Sequence, residues 1–167
     1  MSIGQSENEH PMAFDIGWKE LDIGQIRELA LSAISQSLII ALADEADFPI
    51  VYVNSAFERL TGYSAADVLG HNCRILAGPR TSPETRADIR AALEERRPFQ
   101  GLILNFRKDG GAFWNELTLT PLTDDSGRHF VVGVQSDVTE KLELEARLAE
   151  AHRMEAIGKL SGGIAHD

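Results

Sequence analysis

The alternation of apolar and polar positions divides the first third of the chain into one helix and two strands. Apolar residues recur at three- and four-residue spacing over 23–36, which predicts an amphipathic helix. Two short runs rich in Leu, Ile and Val, 37–43 and 50–54, predict strands separated by a turn at 44–49. Residues 1–22 carry no sustained pattern, so we expect a flexible segment there.

Short helices are predicted after the second strand. Asn54 or Ser55 provides an N-cap for a helix running through Leu60, and Gly62 is the type of residue that ends a helix. A second short helix is expected over 64–69.

A longer helix is predicted to begin near Thr81. Thr81 and Glu84 match a capping box, and Pro83 stands in the first turn, where its missing N–H is not needed. We expect this helix to extend to about Arg97.

Three further strands are predicted over 99–107, 112–122 and 129–137, with Gly-containing hairpin turns between them. The middle strand alternates clearly, and its expected inward face consists of Phe113, Asn115, Leu117 and Leu119. Two strands, several short helices and then three antiparallel strands predict an α+β fold over residues 37–137.

The character of the sequence changes after the last strand. Residues 138–152 contain no Gly or Pro, and Leu144, Leu148 and Ala151 follow the four-three spacing of a coiled coil. We therefore expect a helix that links the domain to whatever follows, and we expect two chains to pair as a homodimer through this helix and the N-terminal helix over 23–36.

Composition and charge narrow the function. The chain has 167 residues, 43% hydrophobic and 25% charged, with a formal net charge of -10. Such an acidic chain is not expected to bind nucleic acid, whose partners are basic. No apolar run is long enough to cross a membrane, and no secretion signal is recognisable, so a cytoplasmic location is expected. The five histidines lack metal-ligand spacing, so no metal site is predicted.

The chain contains one cysteine, Cys73. A lone cysteine is most often a small core residue without a reactive role. Here, however, it belongs to a series of polar motifs: Gly-His-Asn-Cys-Arg ending at Arg74, then Arg90, then Asn105, then Phe-Trp-Asn ending at Asn115, and Gly-Val-Gln ending at Gln135. Over residues 49–139 this series resembles the LOV domains of the PAS superfamily. The resemblance implies their α+β fold, a five-stranded antiparallel sheet with short helices, over residues 37–137.

The resemblance implies FMN as cofactor and a role for each motif residue. Cys73 would be the photoreactive thiol, which bonds reversibly to ring carbon C4a of FMN after blue-light absorption. Asn72 would contact the ribityl chain or the ring. Arg74 and Arg90 would bind the phosphate, since guanidinium groups match phosphate oxygens.

The remaining roles concern the flavin ring. Asn105 and Asn115 would pair with its pyrimidine edge, because an amide carries both a donor and an acceptor. Gln135 would lie beside N5 and rotate when N5 becomes protonated. Leu117 and Leu119, on the same strand face as Asn115, would pack against the ring.

Two residues depart from the family pattern, which has Phe-Leu-Gln where this chain has Ile75-Leu76-Ala77. Ala77 lacks an amide that commonly contacts the cofactor. A neutral hydrogen bond is worth roughly 0.5–1.5 kcal/mol, so FMN affinity is expected to fall by up to about tenfold. Ile75 is expected to alter packing near the ring and the lifetime of the adduct, in a direction the sequence leaves open.

The C-terminal residues resemble part of a sensor histidine kinase. Asp137-Val138-Thr139 is similar to the junction between a PAS core and its signalling helix, and 153–167 resembles the start of a phosphoacceptor helix. The resemblance implies that His166 is phosphorylated by ATP in a full-length kinase that acts on a response regulator. We do not expect kinase activity from the fragment itself.

Other readings remain open at this stage. The domain could be a PAS sensor for a metabolite or another cofactor, with Cys73 inert. A flavin oxidoreductase is less favoured, because no nicotinamide-binding fingerprint is present. A purely structural dimerisation element would leave the polar motifs without a role.

Overall fold

The computed structural model describes residues 22–164, with side chains described except at positions 23, 27, 28 and 160–164. These residues form two compact units, 22–33 and 34–164. In the first, helix α1 spans Ile23–Ala33 and ends slightly before the predicted boundary. The flexible segment predicted over 1–22 lies, apart from Asp22, outside the described residues.

The second unit is built on a five-stranded antiparallel sheet, as predicted. Its strands are β1 (Ser37–Leu42), β2 (Ile50–Val53), β3 (Phe99–Phe106), β4 (Ala112–Thr123) and β5 (His129–Asp137). Their order in the sheet is β2-β1-β5-β4-β3. The last strand is therefore the central one, with β1 and β4 as its neighbours.

Short helices connect β2 to β3: α2 (Ser55–Thr61), α3 (Ala65–Val68), a 3₁₀ turn (Cys73–Leu76) and α4 (Pro83–Glu94). The caps of α2 are those predicted. Asn54 Oδ1 accepts from the backbone N–H of Phe57 at 3.0 Å, and Gly62 adopts a left-handed φ of 76° that ends the helix.

The start of α4 differs from the prediction. Ser82 is the N-cap, and its hydroxyl accepts from the backbone N–H of Thr85 at 3.1 Å. Thr81 is buried instead: its Oγ1 accepts from Gly78 N–H at 2.9 Å and donates to the Leu104 carbonyl at 2.7 Å. The predicted capping box is wrong because Thr81 bridges the loop to β3.

The end of α4 also comes earlier than predicted. The helix stops at Glu94 and not near Arg97, because Arg96 takes a left-handed φ of 51°. The N–H of Arg97 then donates to the carbonyl of Ala92 at 2.9 Å, which satisfies one of the free carbonyls of the last turn.

Two buried clusters fill the face of the sheet that the helices cover. One comprises Ile39, Ile50, Phe57, Val68 and Leu76. The other comprises Ile103, Leu117, Leu119 and Val131, with Ile89 and Leu93 of α4 packed against it. The predicted inward face of β4 is confirmed, since Phe113, Asn115, Leu117 and Leu119 are all buried.

Helix α5 spans Thr139–Ile164 without a break, so it runs through the predicted boundary between 152 and 153. Its first turn is fastened to the sheet: Trp114 N–H donates to Thr139 Oγ1 at 2.8 Å, and Thr139 N–H donates to Asp137 Oδ1 at 2.9 Å. Leu144 and Leu148 of the predicted seam are 50% and 60% exposed. Within residues 22–164 no helix combines the length and the apolar character needed to cross a bilayer.

Candidate functional site

A cavity of about 480 Å³ opens between the sheet, α4 and the 3₁₀ turn. Its volume falls in the range of ligand-binding cavities, roughly 300–1,000 Å³. All the cofactor-contacting residues predicted from the sequence line this cavity: Asn72, Cys73, Arg74, Arg90, Asn105, Asn115, Leu117, Leu119 and Gln135. His166 lies outside the described residues.

Cys73 is the first residue of the 3₁₀ turn. Asn72 caps this turn by accepting from the Arg74 N–H at 2.8 Å. Burial raises the pKa of the Cys73 thiol to about 12, although Gln135, which donates from Nε2 to Sγ at 4.0 Å, acts in the opposite direction. The sulfur therefore carries its proton at neutral pH.

Three buried amide side chains form a hydrogen-bonded row across β3, β4 and β5. Asn105 donates to the Leu76 carbonyl at 3.1 Å. Asn115 Nδ2 donates to Asn105 Oδ1 at 2.9 Å and to Gln135 Oε1 at 3.3 Å. Through its contact with Cys73, Gln135 connects the thiol to this row.

Asn115 leaves one atom of the row without a partner. Asn115 lines the cavity and is only 1% exposed, and its Oδ1 has no hydrogen bond. A buried acceptor left unpaired costs about 1–3 kcal/mol. The imide N–H of a flavin is a donor of the kind this atom requires, so the amide row fits the cofactor that the sequence implies.

The cations of the cavity fall into two groups. The guanidinium of Arg74 forms an ion pair with the carboxylate of Asp47. Arg86 and Arg90 both line the cavity, and no ion pair or side-chain hydrogen bond is described for either. The sequence analysis did not predict Arg86 as a site residue, although its four-residue spacing from Arg90 places both on one face of α4.

The apolar wall adds residues that the motifs did not indicate: Ile39, Ala41, Phe48, Ile89, Leu93, Ile103 and Val131. Strand alternation could have identified two of them, since Ile103 shares a face with Asn105 and Val131 with Gln135. Gly133 allows a close approach here, because a Cβ at this position would lie 2.8 Å from Ile39 Cγ1.

The two departures from the family pattern have different positions. Ala77 lines the cavity, where the sequence analysis expected a missing amide. Ile75 packs against the core cluster of Ile39 and Leu76 and is not part of the cavity wall. Any effect of Ile75 on the lifetime of the adduct would therefore act through the core beneath the 3₁₀ turn.

Comparison with known proteins agrees with this geometry. Residues 37–140 match the model of the PAS domain family. A blue-light-activated histidine kinase of Rhizobium johnstonii is 41% identical over 134 residues, which cover 80% of this chain and 39% of that protein. The chain spans about half or less of the curated relatives it matches.

Two solved structures are similar as well. The LOV domain of the Erythrobacter litoralis EL346 blue-light-activated histidine kinase superposes with a TM-score of 0.59 at 42% identity, covering 62% of this chain and 96% of that one. A structure described as an RNA-binding light-oxygen-voltage receptor gives a TM-score of 0.71 at 34% identity, covering 95% and 43%.

The chain belongs to the PAS domain family. Within that family it is a LOV domain, a light-sensing module for which a flavin chromophore is implied.

Proposed function

We propose that the chain is a blue-light photosensor that binds FMN and forms a reversible bond between Cys73 and the flavin, with a histidine kinase as its output. One observation carries the proposal: the thiol, the row of three amides and the arginines all line one cavity. The alternative, a metabolite-sensing PAS domain with an inert Cys73, gives no reason for the position of the thiol beside this row.

Different polar residues would contact different parts of FMN. Asn105 and Asn115 would hold the pyrimidine edge, where Asn115 Oδ1, which is buried and has no hydrogen bond, would accept from the ring. Arg90 and Arg74 bind the phosphate, with Arg86 beside them. Leu117 and Leu119, both buried, pack against the ring, and Asn72 lies near the ribityl chain.

Bound FMN would supply blue-light absorption and an electrophilic carbon, C4a. Cys73 supplies the sulfur that bonds to this carbon. Because burial raises the pKa of the Cys73 thiol to about 12, Cys73 would enter the reaction as a protonated thiol and would supply both the sulfur and the proton released when its S–H bond breaks. Recovery in the dark would require the bond between the sulfur and the flavin to break and the proton to return to the sulfur, which restores the Cys73 thiol.

Gln135 carries the signal out of the site. Its amide contacts the thiol and Asn115, and it would rotate to present its oxygen if the adjacent flavin nitrogen became a hydrogen-bond donor. After this rotation, the Gln135 amide needs a new hydrogen-bond partner on the side that faces away from the cofactor. Ser37, paired with Gln135 across β1 and β5, supports this step because its buried Oγ has no hydrogen bond.

The signal would reach the output because β5 leads directly into α5. Gln135 lies two residues before Asp137, which caps the first turn of α5. A shift of β5 changes the angle or register of α5, and the exposed Leu144 and Leu148 transmit it between two paired chains. In a complete kinase the change would alter phosphorylation of His166 and transfer to a response regulator.

An absorption spectrum tests the proposal. Protein purified in the dark should be yellow, bleach under blue light and recover in darkness. The FMN content is measured after release by denaturation. Protein that stays colourless after incubation with FMN would refute the proposal and favour a PAS sensor for another ligand.

The phosphate role of Arg90 gives a second test. Arg90→Gln removes a charge-assisted contact worth about 1.5–3 kcal/mol, so FMN affinity should fall by roughly tenfold to hundredfold. Riboflavin, which has no phosphate, should bind equally to both proteins. Titration of the apoprotein with each flavin measures the ratio, and Arg147→Gln on α5 is the matched control. An equal loss for both flavins would contradict the phosphate role.

A further inference from the structure

The turn between β1 and β2 has an unfavourable backbone conformation. Asp47 and Phe48 follow one another with φ of 71° and 49°, in the left-handed region that residues other than glycine seldom adopt. Such conformations cost about 1–3 kcal/mol each and persist where the surroundings hold them. Both residues line the cavity.

The contacts that hold this turn converge on one segment. The backbone carbonyl of Asp47 accepts from Asn72 Nδ2 at 2.5 Å. The carboxylate of Asp47 pairs with the guanidinium of Arg74. Asp47 thus holds the residue before Cys73 and the residue after it.

We propose that Asp47 is a positioning residue for Cys73. By holding the 3₁₀ turn in place, Asp47 keeps the thiol at the cavity wall. The inference rests on the proposed function of Cys73. Both partners of the ion pair are more than half exposed, so its net contribution to stability is small, about 0–1 kcal/mol. Its effect is geometric: two contacts 25 and 27 residues distant in sequence restrict one short turn.

The two contacts of Asp47 can be separated by substitution. Asp47→Asn removes the charge but keeps the backbone acceptor and a residue that tolerates left-handed φ. Asp47→Ala also removes that tolerance, so it should loosen the backbone contact to Asn72 as well. The expected effects increase from Asn to Ala.

Thiol labelling of the apoprotein is the first measurement, because Cys73 is the only cysteine. We expect Asp47→Asn to react with a soluble thiol reagent at least threefold faster than the unaltered protein, and Asp47→Ala faster still. Asp44→Asn is the matched control: Asp44 lies in the same turn but contacts Arg96 and His129. Asp125→Asn, in the hairpin between β4 and β5, controls for charge alone.

The controls should label within twofold of the unaltered protein. Equal labelling of Asp47→Asn and the unaltered protein would overturn the inference. So would an equal acceleration by Asp44→Asn, because the effect would then be a general loosening of the turn.

The FMN-loaded protein supplies a second measurement. Asp47→Asn should reduce the yield of bleaching per absorbed photon at least twofold and broaden the infrared S–H band of Cys73, while FMN still binds. An unchanged yield and band would refute the positioning role but leave the photosensor proposal intact. A protein that binds no flavin would refute the proposed function, and the labelling result would still report on the turn.

Discussion

Cys73→Ala is expected to give a yellow protein that binds FMN but no longer bleaches under blue light. The substitution removes the atom that forms the bond and leaves the amide row and the arginines that hold the cofactor. Cys73 is the one cysteine of the chain, so the variant has no second thiol that could take its place. The expected loss of reversible bleaching is therefore complete.

Absorption spectra recorded in the dark, after illumination and during recovery measure this effect. His71→Ala is the matched control, because His71 lies two residues before the cysteine and its side chain is exposed. The control should bleach and recover like the unaltered protein. If Cys73→Ala still bleached and recovered, another group would be the photoreactive one.

Gln135→Leu is expected to retain bleaching and to lose the light-driven change in α5. Gln135 is 1% exposed and joins the thiol to the amide row, and leucine has a similar size but no group that can exchange a donor for an acceptor. Sulfur chemistry at Cys73 remains possible, while the hydrogen bonding of β5 no longer depends on the protonation of N5.

Hydrogen exchange of the backbone amides in residues 138–152, compared in the dark and under light, measures the coupling. Gln100→Leu is the matched control, since Gln100 is exposed on β3 and makes the same change of side chain. We expect a light-dependent change in the control and in the unaltered protein. A full change in Gln135→Leu would exclude this amide as the relay.

Much of the fold could be predicted from local pattern. The five strands and the helices between them follow from alternation, turn residues and caps, and the structure confirms them with shifts of a few residues. Strand alternation also determined that Asn115, Leu117 and Leu119 share a buried face, because successive side chains on a strand point to opposite sides. The motif series then identified residues that line one cavity.

Prediction failed where a residue's partner is distant in sequence. Thr81 matches a capping signal, but its hydroxyl is used by Gly78 and by Leu104 on β3. Asp47 and Phe48, which line the cavity beside the motif residues, were also missed. Nothing in the local pattern distinguishes them from solvated turn residues.

The sequence by itself determined the order of the elements, the inward face of β4 and the residue types of the motif series, because periodicity and residue type are local properties. Only the tertiary structure decided that Asp47 holds both neighbours of Cys73, that Arg74 is paired while no partner is described for Arg86 and Arg90, and that Asn115 Oδ1 lacks a partner. The reason is physical: whether a charge or amide is paired depends on which groups the packed sheet and helices bring within about 3 Å, the reach of a hydrogen bond.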